Sequence, residues 1–482
     1  MSIRNLDALF SPTTIALIGA SNRPGSVGAV LARNLFDAGF EGPILTVNPR
    51  ERAIRSALNY HTVSELPLAP DLAIIATPPD TVPGLIRELG ERGCRAAVVI
   101  TAGFGEGEHA DGQVLKQAML DAAKPYLMRI VGPNCLGVLV PHRGINASFA
   151  HLMPQKGNVA FVTQSGAVAT SILDWASARG VGFSHVVSLG SMSDVDFGDM
   201  LDYLALDPKT HSILLYVEAI TEARKFLSAA RKASRNKPVV VVKAGRSDAG
   251  AKAALSHTGA LAGADAVYDA AFRRAGMLRV NTLDELFQAA GTLATGIHVK
   301  GDRLAILTNG GGIGVLAVDE LAEMQGRLAA LSEATLARLD SVLPPTWSHA
   351  NPVDILGDAP GERYTSALEA LLNEKEADAI LVMNCPTAVA DSLDAAQAVV
   401  DTLGSQRPAV LTCWLGEGAP AKARHLFAAQ KIPTYETPEQ AIRAFWHLSS
   451  YWRNQQTLME TPPPISTDGT IDKASANAII DQ

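Results

Sequence analysis

The sequence predicts an α/β chain of about three parallel, doubly wound domains. Three observations carry this. At 482 residues the chain is too long for one core. Only 5% of it is aromatic, while 40 residues are glycine and alanine is abundant. Small residues of that kind suit close helix–sheet packing better than a β-sandwich. Finally, short apolar runs end repeatedly in glycine-rich turns that open helical patterns, the order of βαβ units.

The bulk numbers exclude several functions. Hydrophobic content of 47% and charged content of 19% describe a globular chain rather than a disordered one. Net charge is -8, and no stretch is rich enough in Lys and Arg for a nucleic-acid partner. Cys94, Cys135, Cys385 and Cys413 are far apart with no CxxC spacing, which argues against zinc and against a disulfide framework. A reducing cytosol fits. The N-terminus lacks the apolar core of a signal peptide, and no apolar run approaches about 18 residues. A cytoplasmic protein off the membrane is expected, with no metal site of its own.

Residues 1–145 read as the first domain. Thr14–Gly19 is a buried strand, and Gly19-Ala-Ser21-Asn-Arg-Pro-Gly25-Ser-Val27-Gly28 follows, then a helix through Phe36. Such a turn offers free N–H groups and a helix dipole to anionic oxygens. The second strand is Ile44–Asn48, ending in Asn48-Pro49-Arg50-Glu-Arg52. Further strands are expected at Leu72–Ala76 and Ala96–Thr101, giving a Rossmann-like unit. NAD fits poorly, because the glycine spacing is wider than GxGxxG and no acid ends the second strand. Arg50 and Arg52 suit a phosphorylated ribose, which NADP also carries, or they are simply solvated. Three loops fall at successive strand ends: Ala76-Thr77-Pro78-Pro79, Thr101-Ala-Gly103-Phe104-Gly-Glu106 and Gly132-Pro-Asn134-Cys-Leu-Gly137.

This order of loops resembles the CoA-binding domain of the succinyl-CoA synthetase α-subunit superfamily, the NDP-forming acyl-CoA synthetases. The resemblance implies that Gly19, Ser21, Gly25, Val27, Gly28, Asn48, Pro49 and Arg50 hold the nucleotide end of CoA. Thr77, Pro78, Pro79, Thr101, Gly103 and Asn134 then lead its pantetheine toward an active site.

Residues 146–296 read as the second domain. Strands are expected at Gly157–Thr163, Val186–Leu189, Ile213–Val217 and Val239–Lys243. Gln164-Ser165-Gly166 opens a helix that reaches about Arg179. Beyond Lys243 hangs a segment read as a loop, Ala254-Leu-Ser-His257-Thr-Gly-Ala-Leu-Ala-Gly263, with a helical pattern from about Ala264. A histidine there can be a base, a nucleophile, a metal ligand or an ordinary loop residue. Convergence of the strand ends on one edge favours chemistry. A phosphorylated imidazole carries about two negative charges, and the turn at Gln164–Gly166 supplies N–H groups. Glu218, at a neighbouring strand end, is the candidate to fix the imidazole tautomer. The superfamily resemblance agrees: it implies that His257 is transiently phosphorylated and that Glu218 supports it.

Residues 297–455 read as the third domain. Leu304–Thr308 is a strand, and Asn309-Gly310-Gly311-Gly312 opens a helix through about Met324, repeating the design at Thr163–Ala167 about 145 residues earlier. No Gly-Lys-Ser/Thr follows, so this is not a P-loop. Further strands are expected at Ala379–Met383 and Ala409–Trp414, and a closing helix at Thr437–Trp452. Residues 456–482 read as a linker.

The fold class expected is therefore α/β: a Rossmann-like CoA-binding domain followed by two flavodoxin-like ligase domains. The resemblance implies an ADP-forming acyl-CoA synthetase, acetate-type, working through acyl phosphate and a phosphohistidine. Gln164, Ser165 and Gly166, with Asn309, Gly310, Gly311 and Gly312, would bind phosphate between two facing helix ends. CoA or acyl-CoA, phosphate and a small carboxylic acid are the expected ligands. ADP or ATP with Mg2+ would come through an ATP-grasp partner, as a β-type subunit or a further C-terminal domain, and an oligomer is expected. The alternative is the acyl-CoA-sensing module of a GNAT-type protein-lysine acetyltransferase. An NADP-dependent oxidoreductase lacks a visible set of residues for hydride transfer.

Overall fold

The computed structural model describes residues 3–105, 110–258, 264–406 and 408–460, without the side chains of residues 110, 111 and 254–258. These residues form three sheets in series. The first has seven strands in the order Ala53–Ile54, Ala57–Tyr60, Ile44–Val47, Ile15–Ile18, Leu72–Ile75, Ala96–Val99 and Arg129–Val131. All its pairings are parallel except the first, a short antiparallel hairpin. Ile15–Ile18, Leu72–Ile75 and Ala96–Val99 are buried at every residue. That is why they read as unbroken apolar runs: helices cover both faces of a parallel sheet.

The second sheet also has seven strands, in the order Leu278–Val280, Val239–Lys243, Ser212–Val217, Lys156–Thr163, Phe183–Ser188, Gly137–Val140 and Ile145–Ser148. The last two form an antiparallel hairpin. The third sheet runs Arg327–Leu328, Arg303–Thr308, Ala379–Asn384, Val410–Trp414 and Thr434–Tyr435, with Val353–Asp354 also on Arg303–Thr308. The main strands and helices lie where the sequence placed them. Val239–Lys243 matches at both ends, and the helices Val27–Asp37, Gly166–Ala178 and Gly311–Glu323 each end within a residue of expectation.

Three differences have physical reasons. The Gly137–Ser148 hairpin belongs to the second sheet, so the first sheet ends at Val131, before the expected boundary at 145. The closing helix runs from Pro438 to Met459, so residues 456–459 are helix rather than linker. Residues 461–482 lie outside the described residues. Residues 254–258, expected as the start of a loop, are the end of a helix over Asp248–Thr258, and residues 259–263 of that expected loop lie outside the described residues. The helix's alanine-rich composition and the acid in its first turn favour that outcome.

The domains are tied by polar groups as well as by packing. Arg129 bridges Asp194 at 2.9 Å and Asp199 at 3.0 Å, and Lys225 reaches Asp199 at 2.6 Å and Asp196 at 3.0 Å. This fastens the last strand of the first sheet to the Phe197–Leu204 helix of the second domain. Removing Arg129 would cost about 3–5 kcal/mol, because the fully buried Asp199 loses a charge partner. At the other end, the Pro438–Met459 helix crosses back to the second domain. Asn454 donates to Met277 O and Gln455 to Gly276 O, each at 2.7 Å.

Candidate active site

The first domain's glycine turn is held by close approaches. Gly19 has φ of +89°, and a Cβ there would collide with Ala76 O. A Cβ on Gly28 would collide with Gly19 O, so the helix can start this near the strand only with glycine at both positions. Ser26 caps that helix by accepting from Ala29 N. Asn48 Nδ2 donates to Ala20 O at 2.6 Å and its Oδ1 accepts from Arg50 N at 2.8 Å, so Asn48 braces the two turns together. Arg23, Arg50 and Arg52 are exposed on this joined rim. None makes an ion pair among the described residues. Thr101 Oγ1 donates to Thr77 O at 2.7 Å, and Asn134 N to Thr101 O at 2.9 Å, linking the later loops in a row.

A cleft of about 510 Å³ opens where the first and second sheets present their carboxyl ends to one another. The first domain contributes Phe104, Lys116 and Asn134. The second contributes Gln164–Ala167, Gly190–Met192 and Glu218, Ala219 and Thr221, each group following a strand of its sheet. The approach is close: Ser191 N donates to Pro133 O at 2.9 Å and Ser193 N to Gly132 O at 3.1 Å.

The turn at Gln164 is built by a threonine. Thr163 Oγ1 accepts from Ser165 N at 3.0 Å and donates to Ser165 O at 3.1 Å. Ser165 Oγ caps the helix at Val168 N. The first-turn N–H groups of Gly166 and Ala167 make no hydrogen bond among the described residues and border the cleft, as an anion site at a helix start requires. Gln164 was expected to meet phosphate. Its Oε1 instead accepts from Glu218 N at 2.6 Å and Ala219 N at 2.9 Å. Glu218 itself is half-buried on the cleft wall. Burial, and then the Glu218 charge, push the neighbouring Tyr216 hydroxyl upward in pKa.

The structure does not bring every expected residue to this cleft. Asn309–Gly312 is absent from its lining. Asn309 is only 3% exposed, with Oδ1 accepting from Cys385 N at 2.8 Å and Nδ2 donating to Cys385 O at 2.9 Å. Gly310 N is engaged by Thr308 Oγ1 at 3.1 Å. Gly311 N and Gly312 N make no hydrogen bond among the described residues. His257 lies in the Asp248–Thr258 helix, and its side chain is outside the described residues. Sequence reasoning missed Lys116, a half-buried cation on the cleft wall, because a lone lysine on a helix carries no motif. Among the described residues no cluster could hold a metal ion, and no helix is long and apolar enough to cross a membrane.

Residues 13–141 match the family described as CoA binding domain, and 156–293 match the succinyl-CoA ligase like flavodoxin domain. Fold and cleft thus define a CoA-binding, succinyl-CoA ligase-like protein. The chain is 39% identical over 448 residues to the α subunit of ADP-forming acetate–CoA ligase I from Pyrococcus furiosus, covering 91% of this chain and 96% of that one. It is 40% identical over 446 residues to ADP-forming acetate–CoA ligase I of Archaeoglobus fulgidus, covering 92% of this chain but 64% of that longer one. A solved acetyl-coenzyme A synthetase from Candidatus Korarchaeum cryptofilum, in complex with phosphate and ADP, superposes with a TM-score of 0.83 at 36% identity, covering 94% of this chain and 98% of that one. The chain belongs to the ADP-forming acetate–CoA ligase family and corresponds to its α-subunit portion.

Proposed function

We propose that this chain is the CoA-binding and ligase portion of an ADP-forming acid–CoA ligase that needs an ATP-grasp partner. The observation that carries the reading is the shared cleft, in which CoA-binding loops meet a helix start with unengaged N–H groups and the Glu218 carboxylate. The first domain suits CoA: three exposed guanidinium groups stand on the rim of a glycine turn that opens the Val27–Asp37 helix, whose start offers N–H groups to an anion. Gly19, Ser21, Gly25, Val27, Gly28, Asn48, Pro49 and Arg50 would hold its nucleotide end. Thr77–Pro79, Thr101, Gly103 and Asn134 would point its thiol at the cleft.

Acyl-CoA and phosphate would exchange to acyl phosphate and CoA near Gly166 and Ala167. A His257 ring nitrogen would then attack phosphorus, breaking the P–O bond and releasing the carboxylate. The imidazole proton would be held through Glu218. The phosphoryl group would finally pass to ADP on the partner. Splitting one transfer into two is the use of a covalent nucleophile. The protein's contribution to each step is positioning and charge stabilisation. Two relatives are named as α subunits, which supports the need for a second component.

The test is phosphoenzyme formation. With acetyl phosphate, or with ATP and an ATP-grasp partner, the chain should acquire an acid-labile, base-stable phosphate that His257→Ala abolishes. Label that persists in the mutant would sink the assignment of His257. Calorimetry should show CoA binding to this chain alone, and binding of NADP in its place would sink the reading of the first domain.

A further inference from the structure

We infer that Gln164 and Tyr268 are positioning residues that clamp the Glu218 turn from its two flanks, an inference that rests on the function proposed above. After Val217 the chain leaves its sheet, and an exit loop ordinarily gives its amides to water. Here three successive N–H groups are taken by side chains. Gln164 Oε1 accepts from Glu218 and Ala219 at 2.6 and 2.9 Å. Tyr268 Oη accepts from Ile220 at 3.4 Å.

The two side chains approach from the two sides of the strand that ends at Val217. Gln164 follows Lys156–Thr163, which pairs with one side of Ser212–Val217. Tyr268 stands on the Asp265–Arg274 helix, and its ring faces Lys243 at the end of the strand that pairs with the other side. The Lys243 ammonium lies 4.6 Å from the Tyr268 ring centroid and donates to Ala244 O. Lys243 is 2% exposed, so the cation is fixed and holds the ring by its face.

The third domain supplies independent support. Asn309 occupies the position of Gln164 and also holds neighbouring backbone, accepting from Cys385 N and donating to Cys385 O where Gln164 accepts from two successive N–H groups. The amide after the threonine is therefore a builder of the neighbouring turn in both places. Its chemistry in the second domain follows from what that turn carries, a carboxylate whose aim has to be held. A misplacement of about 1 Å in such a group lowers rate about 100-fold.

Gln164→Met, Gln164→Glu and Tyr268→Phe in the full chain test this, with acetyl phosphate as the phosphoryl donor. Gln164→Met should lower the maximal rate of phosphoenzyme formation about 100-fold and leave half-saturation within about threefold. Hydrogen exchange in a peptide spanning residues 216–222 should accelerate. Gln164→Glu keeps the accepting oxygen but adds a charge beside Glu218 and the anion site, so it should restore exchange protection without restoring the maximal rate. Tyr268→Phe keeps the ring and loses the acceptor, giving a smaller fall of about three- to tenfold.

A Gln164→Met enzyme with unchanged maximal rate and weakened half-saturation would make Gln164 a phosphate ligand and overturn the inference. So would unchanged exchange, or loosened exchange with wild-type phosphorylation. A wild-type chain that takes up no phosphate overturns the proposed function and any positioning role with it, while exchange still decides whether the clamp exists.

Discussion

The turns at Thr163–Ala167 and Thr308–Gly312 share one scaffold and differ in what they carry. In both, a buried threonine closes onto the residue two positions on, accepting its N–H and donating to its carbonyl. In both, the next residue's amide reaches across to the end of a neighbouring strand. The second-domain turn adds a serine cap and braces a glutamate at an open cleft. The third-domain turn has an uncapped glycine and braces a half-buried cysteine, whose thiol burial pushes up in pKa. The scaffold is thus a way to hold a strand end, and the residue held there decides whether chemistry follows.

Exchanging the held residues should give the largest effect. Glu218→Gln should lower phosphoenzyme formation about 100-fold or more, the usual range for a group that moves or orients a proton. Cys385→Ser should change it less than about threefold. Equal losses at the two positions would erase the distinction.

Stability should rank the two braces in the opposite order. Asn309→Leu strips partners from both backbone groups of Cys385, each worth about 1–3 kcal/mol when stranded. Chemical denaturation should show a loss of about 2–4 kcal/mol. Gln164→Leu should cost less, because water in the cleft can replace the lost acceptor.

A pH series should touch both domains. Burial lowers the pKa of His185 in the second domain and His447 in the third to about 4. The unfolded chain binds protons at these sites near pH 6.5, above the folded pKa. Stability is therefore complete above pH 6.5 and declines as pH falls toward 4. The slope is about 1.4 kcal/mol per pH unit for each histidine within that window. His447→Gln should flatten part of the decline, and an unchanged curve would show that His447 stays neutral in neither state or in both.

The smallest effect concerns the caps. Ser165→Ala should cost about 1 kcal/mol, whereas Gly310→Ser should stabilise by a few tenths. The new Cβ would sit 3.5 Å from Cys385 Sγ, an ordinary contact. Thermal melts of the two variants should move in opposite directions.

Much of this was legible in the chain. Val239–Lys243 reads as a strand because it is apolar throughout, and every residue in it is buried. Glycine at 19 and 28 announces a turn that has no room for a side chain. The antiparallel hairpin Gly137–Ser148 was not legible as a member of the second sheet. Local pattern reports that a segment is a strand, never which sheet it joins. Residues 254–258 were misread because glycine and small polar residues suggested a loop, while alanine propensity prevailed. Gln164 and Asn309 were recognised as special, but the backbone partners that they hold were not foreseen. A short amide beside a glycine turn looks the same whether it meets a ligand or the next strand's backbone.

The sequence by itself determined three α/β units, their glycine turns, and the carboxylate and histidine set among them. Those follow from periodicity and from backbone conformations that only glycine adopts, both local properties. Tertiary structure alone decided that the first two domains share a cleft and that the third domain's turn stays out of it. It also decided that Gln164 faces Glu218. These depend on which strand ends are brought side by side, and that is set by packing between segments 50 or more residues apart in the chain, such as Gln164 and Glu218 with a separation of 54.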